Sequence, residues 1–224
     1  MFNTLKNNPL IAIWVTPRKT TQRLLDSAKI WQIIVLAILL GITYFFEDAA
    51  QDEMGTDYSL KTILIMAFTL GPLLGLLYVY IMSAFIKWTG QLIGGRGDYR
   101  GINIALTFGA IPEIWVMGLV WLIFIPMFGI EIFAERNPVE NWTTLSPMSK
   151  MVLYSFPLWF GAMIWIVVVR LKSLAEVQGF SVGKAILNSV LSLFAMLILM
   201  FSIGSPVFMF IVRNFDKYLA YLVG

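Results

Sequence analysis

The sequence predicts an all-α fold: a polytopic membrane helical bundle of five transmembrane helices, preceded by a short N-terminal interfacial amphipathic helix. Hydrophobic residues make up 59% of the 224 residues and charged residues only 13%, about half the usual charged share. The mean hydropathy of +0.81 is far higher than a water-exposed surface allows. Five long apolar segments are separated by charged or Gly/Pro-rich stretches. We therefore predict a single membrane domain over residues 30–224, after an N-terminal segment of residues 1–29.

The N-terminal segment contains a helix start at Thr16–Asp26. Thr16 suits the N-cap position, and Pro17 suits the first helical position, where its missing N–H costs nothing. Three cations and an apolar edge predict a helix that lies on anionic lipid or docks a cytosolic partner; it also fixes the entry angle of the first span. The basic residues of this interfacial helix are Arg18, Lys19 and Arg23.

The five apolar segments predict five spans, because about 20 apolar residues cross a bilayer core of about 30 Å. The predicted spans cover residues 30–46, 62–86, 102–130, 151–171 and 185–212, of which the first is the shortest. Proline lies inside several of them, at Pro72, Pro112 and Pro157 among others. Neighbouring helices can satisfy the carbonyls that proline frees in a membrane, so we expect kinks at these positions rather than breaks.

The distribution of Lys and Arg predicts the orientation. Most of the 16 basic residues fall in the N-terminal segment and in the second and fourth loops, with Arg170 counted at the edge of the fourth span. Most acidic residues fall on the other side. The positive-inside rule therefore predicts a cytoplasmic N-terminus and an external C-terminus.

Several function classes are excluded by composition. The chain has no cysteine and no histidine, which excludes disulfides, thiolate nucleophiles and His-based triads. No paired carboxylates stand ready to activate water. We predict that the protein is not an enzyme, with no cofactor, no metal site and no nucleic-acid partner.

Glu113 is the one carboxylate that falls well inside a predicted span, directly after Pro112. An ionisable group at membrane depth is costly and is a hypothesis for a functional site by default. It is either a proton or cation site or a packing contact. In the second case it is protonated, or it pairs with Asn103, with Thr107 or with a hydroxyl of a neighbouring helix.

Two turns of similar design predict an interaction face on the cytoplasmic side. Each turn contains glycine and opens a membrane helix, and Arg100 and Glu176 are near enough to their spans to form a pair across this face. Glycines inside the spans further predict close approach of helices, at Gly71, Gly75, Gly109, Gly118 and Gly161. The residues of the predicted face are Gly97, Tyr99, Arg100, Glu176, Gln178, Gly179 and Phe180.

Four short motifs lie at Trp14–Thr20, at Gly97–Arg100, at Ala110–Pro112 and at Leu174–Ser181. They resemble those of the Yip-domain family, five-span proteins first known as partners of Rab-type GTPases and widespread in bacteria. The family's long polar N-terminal region and Asp-Leu-Tyr-Gly-Pro element, found in eukaryotic members, are missing. The chain thus looks like the bacterial branch, some of whose members are thought to accompany ABC-type exporters, and this resemblance implies a bacterial cytoplasmic membrane.

These observations and the resemblance together predict a non-enzymatic membrane protein that binds other membrane proteins. It would act as an accessory subunit of an ABC-type exporter or in membrane stress or toxin protection, and its partner would be another membrane protein or a second copy of the chain. The alternative is a small transporter or channel that uses the buried carboxylate of Glu113.

Overall fold

The computed structural model describes residues 8–134 and 147–204, and these ranges contain helices and turns but no strand. The helices are α1 Pro9–Val15, α2 Pro17–Ser27, α3 Ile30–Gln51, α4 Leu60–Leu92, α5 Tyr99–Phe108, α6 Ile111–Phe128, α7 Pro147–Gln178 and α8 Val182–Leu199. A short 3₁₀ turn follows α3 at Met54–Thr56, another follows α6 at Gly129–Phe133, and a π-helical turn at Met200–Gly204 continues α8.

Five helical segments in the described ranges are long and apolar enough to cross a membrane, as predicted. They run past the predicted apolar segments, most of all in α7, which continues to Gln178 rather than ending near residue 171. The last part of the predicted fifth span, residues 205–212, lies outside the described residues. The five segments are Ile30–Gln51, Leu60–Leu92, Tyr99–Phe133, Tyr154–Gln178 and Val182–Ser202.

The third segment is two helices, so the prediction of a kink at Pro112 is wrong. Helix α5 ends at Phe108, and α6 starts at Ile111 with Pro112 in its first turn. Proline has no N–H to donate, and its ring clashes with the carbonyl four residues earlier, so it is tolerated best at a helix start. Pro72 and Pro157 lie inside continuous helices, as expected.

The predicted interfacial helix is present as α2, with Pro17 at its start. Thr16 does not cap it, however, because its hydroxyl donates to the carbonyl of Ala12 in the additional helix α1, at 3.2 Å. Thr20, Thr21 and Leu24 are buried, so one face of α2 packs on the bundle. The helix is therefore docked on the protein as well as placed at one of its ends.

The two ends of the bundle differ in charge, and we name them from their residues. The basic end carries the start of α3, the turn of residues 93–98 and the turn of residues 178–181; it is the predicted cytoplasmic side. The acidic end carries the end of α3, the start of α4 and residues 129–134. Between the two ends the outer surface is apolar: Leu73, Leu122 and Leu158 are 64%, 70% and 80% exposed. Such side chains suit contact with lipid.

Helices α3 and α4 make backbone contact across glycines. A Cβ atom on Gly75 would overlap the carbonyl oxygen of Ala37, and one on Gly41 would overlap the carbonyl oxygen of Gly71. Small residues allow such close approach in membranes, where packing rather than water exclusion holds helices together. The predicted role of Gly71 and Gly75 is therefore observed. At Gly118 and Gly161, in contrast, a Cβ atom would meet no described atom of another element within 4 Å.

Candidate functional site

The basic end is held together by the side chain of Gln178, the last residue of α7. This side chain is only 1% exposed. Its Oε1 accepts from the backbone N–H of Gly97 at 3.0 Å, and its Nε2 donates to the carbonyl of Ile86 at 3.2 Å. The backbone carbonyl of Gln178 accepts from the N–H of Arg96 at 3.1 Å. One residue thus joins α4, the glycine turn and the end of α7.

The glycines of this turn leave room for the amide of Gln178. A Cβ atom on Gly90 or Gly95 would overlap that amide, and one on Gly97 would lie 2.9 Å from its Oε1. Gly94 has a φ of +87°, a conformation that side chains other than glycine's rarely adopt. The sequence predicted a glycine-containing turn that opens a membrane helix. The structure adds that most of these glycines accommodate a buried side chain from a distant helix.

Gly179 ends α7 in the left-handed conformation, with a φ of +68°. The N–H of Phe180 donates back to the carbonyl of Ala175 at 2.7 Å, as in a glycine C-cap. This turn buries the ring of Phe180, which is 5% exposed. The carbonyl of Phe180 accepts from the guanidinium of Arg18 at 3.2 Å, so α2 is tied to the same turn.

Arg100 does not pair with Glu176, and that prediction is wrong. The guanidinium of Arg100 donates to the carbonyl of Ala28 at 3.0 Å, which satisfies a backbone group between α2 and α3. Tyr99 beside it is 47% exposed, and the ammonium of Lys87 lies 3.9 Å from the centre of its ring. This distance is within the range of a cation–π contact.

The predicted face therefore divides into a buried joint and an exposed rim. Gly97, Gln178 and Phe180 are buried in the joint, and Glu176 is half-buried. Arg23 and Lys19 of α2 remain exposed toward the lipid or the solvent, whereas Arg18 is used inside the protein. We call the accessible residues the exposed rim, beside which Lys87 is half-buried: Arg96, Tyr99, Arg100 and Gly179.

A second polar group lies within the spans, where Glu113 forms an ion pair with Arg170. Arg170 also donates to the hydroxyl of Tyr44 at 2.9 Å, and the ring of Tyr44 meets that of Tyr78 edge to face with centres 5.4 Å apart. The side chains of Glu113 and Arg170 are 13% and 27% exposed. Four spans thus contribute to one buried polar group.

The depth of this ion pair follows from the helix geometry. Arg170 lies eight residues before the end of α7, which places its Cα about 12 Å from the basic end. Helical side chains tilt toward their own N-terminus, so Arg170 reaches from there toward the centre. Tyr44 lies 14 residues into α3, about 21 Å along its axis. The ion pair is therefore near the middle of the bundle.

The sequence predicted other partners for Glu113, and those predictions are wrong. Asn103 accepts from the hydroxyl of Ser83, and Thr107 donates to the carbonyl of Asn103. The hydropathy of the residues after Arg170 places this residue at the edge of the predicted fourth span. The helix continues through residues 171–178, which places the cation inside the span instead. This continuation is the signal that could have identified Arg170 as the partner of Glu113.

The described part of the chain contains no candidate metal site. In residues 8–134 and 147–204, no group of three His, Cys, Asp or Glu side chains could hold a metal ion. Both polar groups described above consist instead of side chains that bond to each other and to backbone. They define an integral, multi-pass helical membrane protein whose buried polar residues join its helices.

Comparison with known families agrees with this class. A model of the Yip1 domain matches residues 11–203, which is most of the chain, and the chain belongs to this family. The resemblance predicted from four short motifs is thereby confirmed. No curated protein and no solved structure is significantly similar to the chain.

Proposed function

We propose that this chain is a non-enzymatic integral membrane protein that binds other membrane proteins through the exposed rim at its basic end. The observation that carries the proposal is the joint around Gln178, whose amide bonds to two separate segments while 1% exposed. A surface built on such a joint is pre-organised, and pre-organisation lowers the entropic cost of binding.

The composition of the rim suits a protein partner at a membrane surface. Tyr and Arg are the residue types enriched at binding hot spots, and Tyr99 and Arg100 are neighbours in the rim. The basic side chains favour a partner with acidic groups near the lipid headgroups. The exposed cations of α2 add attraction to anionic lipid, which would hold the rim at the membrane surface.

The proposed setting follows from the family and the charge distribution. We place the chain in a bacterial cytoplasmic membrane with its N-terminus in the cytoplasm, so that the rim faces the cytoplasm. The proposed role is that of an accessory subunit of an ABC-type exporter, or a role in membrane stress or toxin protection. A second copy of the chain is the remaining candidate partner.

Removal of an exposed rim side chain tests this proposal. We expect Tyr99→Ser to lower the yield of an integral membrane partner on purification in mild detergent by about thirtyfold, since loss of a hot-spot residue costs about 2 kcal/mol or more. Tyr58→Ser is the matched control, because Tyr58 is 44% exposed at the acidic end. Equal yields from both variants, or a lone monomer from the wild type in detergent and in nanodiscs, would contradict the proposal.

The second candidate function is a small transporter or channel that uses Glu113. Its supporting observation is the position of this carboxylate near the middle of the bundle, beside Arg170 and Tyr44. In a pathway, Glu113→Gln abolishes flux in proteoliposomes while the protein stays folded. If the carboxylate only joins helices, that variant has wild-type flux or no flux is measured in either protein.

A further inference from the structure

An apolar groove of about 580 Å³ lies on the outer surface of the bundle, between α1, α3 and α6. Neither polar group described above lines it. Along α3 its lining extends from Trp31 to Leu39, which is about 12 Å, and along α6 from Ile111 to Leu122, which is about 16 Å. Because α3 starts at the basic end, the groove opens there and extends into the hydrocarbon core, which is about 30 Å thick.

The walls of the groove are apolar and its floor is open. Leu39 on α3 and Leu119 on α6 both line it, and they are 42% and 49% exposed. Gly118 lies between the walls, and a Cβ atom built there would meet no described atom of another element within 4 Å. An elongated apolar groove in the membrane-spanning part of a protein has the shape and the polarity that a lipid acyl chain fills.

Two amide side chains in the lining indicate the kind of polar group that lies beside such a chain. The Oε1 of Gln32 accepts from the backbone N–H of Lys29 at 2.8 Å, and the Oδ1 of Asn8 accepts from that of Leu10 at 3.0 Å. The amide NH₂ groups are therefore the part of each side chain that remains for an occupant. They are donors, so they favour an occupant with oxygen acceptors.

The charge at the opening of the groove is positive. Lys29 is exposed and directly precedes α3, and its backbone is bonded to Gln32 in the lining. Among the described residues, no Asp or Glu lines the groove. Trp31 in the lining is 56% exposed at the start of the span, a position at which tryptophan marks the level of the lipid headgroups. An anion with oxygen acceptors at this level complements the opening.

We propose that this groove holds one acyl chain of an anionic phospholipid, with the phosphate at the basic end. Lys29 attracts the phosphate, the amide of Gln32 donates to a phosphate or ester oxygen, and the chain lies over Gly118 between the leucines of α3 and α6. The bilayer around the outer surface supplies this occupant. The site does not depend on the protein-binding function proposed above.

Blocking the groove tests the acyl-chain site. The full chain is purified in mild detergent, phosphatidylglycerol or phosphatidylcholine with the same acyl chains is added, and bound lipid is counted by native mass spectrometry. We expect the wild type to hold one phosphatidylglycerol, and Gly118→Leu to bind it at least about tenfold more weakly, because a displaced chain loses the burial of several methylene groups. Gly161→Leu is the matched control, since a Cβ atom at Gly161 also meets open space but outside the groove.

Removing the charge at the opening tests the headgroup separately. We expect Lys29→Gln to weaken phosphatidylglycerol about fivefold, or about 1 kcal/mol, and to leave phosphatidylcholine unchanged. Lys61→Gln removes an exposed lysine at the acidic end and is expected to bind both lipids like the wild type. This pair of variants decides the matter if Gly118→Leu elutes as an aggregate from a size-exclusion column.

Three results would overturn the proposal. The first is equal binding of the two lipids by the wild type, or an equal effect of Lys29→Gln and Lys61→Gln. The second is a folded Gly118→Leu that binds phosphatidylglycerol as well as Gly161→Leu does. The third is a lipid-free wild-type dimer that Gly118→Leu alone dissociates, which would assign the groove to a second copy of the chain.

Discussion

Replacing Glu113 with leucine should destabilise the protein by up to about 3–5 kcal/mol, because it leaves the partly buried guanidinium of Arg170 inside the bundle without its countercharge. Arginine cannot lose its proton in a protein, so it cannot escape this cost by neutralising itself. Glu113 can, by taking up a proton. We therefore expect Arg170→Met to cost less than Glu113→Leu, although it leaves the same pair broken.

The double variant Glu113→Leu/Arg170→Met decides whether the effect belongs to the pair. We expect it to recover most of the lost free energy of unfolding, measured by denaturation in detergent micelles, because both buried charges are gone. Glu131→Leu, at an exposed acid, serves as control and should stay within about 0.5 kcal/mol of the wild type. Additive losses in the double variant would contradict the ion pair.

Replacing Gly75 with alanine should cost about 1–3 kcal/mol, because the added methyl group meets the backbone of α3 and cannot be relieved by a rotamer change. The same substitution at Gly118 adds a methyl group in open space. There alanine should be neutral or should stabilise by up to about 1 kcal/mol, because glycine weakens a helix interior. We thus expect Gly75→Ala to lower the thermal midpoint, and Gly118→Ala to raise it or leave it unchanged.

The comparison of these two glycines also tests where helices meet. A loss at Gly118 as large as that at Gly75 would mean that Gly118 is covered in the membrane, for example by a second copy of the chain. Tolerance at Gly75 would contradict the close crossing of α3 and α4. Size-exclusion profiles of both variants distinguish loss of fold from change of assembly.

The number of spans was predictable because the lipid environment restricts the conformation of the backbone. Every backbone group in hydrocarbon must be bonded within its own helix, so apolar length alone reveals the spans. The end of α7 was not predictable in the same way. Residues 171–178 are mixed in polarity, but Ser173, Leu174, Ala175 and Gln178 are buried, and this packing supports the helix at the end of the span.

The sites were less predictable than the spans, for reasons that differ from residue to residue. Gln178 was assigned to the interaction face by motif, but its partner Gly97 is 81 residues away, and no local pattern shows that its amide is buried. Glu113 was recognised because a carboxylate in a span stands out. The sequence does not reveal its partner, because Arg170 has a long apolar run only on its N-terminal side. This pattern is typical of the edge of a span.

The exposed rim was predictable only in part for the same reason. Composition placed cations and glycine turns at one end, and the structure brings them together there. Which of them are accessible depends on packing, since Arg18 and Arg100 are bonded to backbone carbonyls while Tyr99 is exposed. The sequence places Tyr99 and Arg100 on the interaction face and Arg18 in the interfacial helix, and it does not separate accessible side chains from bonded ones.

Photo-crosslinking from position 99 in native membranes tests the central claim most directly. A photoreactive phenylalanine analogue replaces Tyr99 in one variant and Tyr58 in the other, which compares two similarly exposed tyrosines at opposite ends. We predict that position 99 forms an adduct with an integral membrane protein or with a second copy of the chain, identified by mass spectrometry, and that position 58 does not. Adducts of position 99 with lipid alone, or the same protein adduct from both positions, would contradict binding through the basic end.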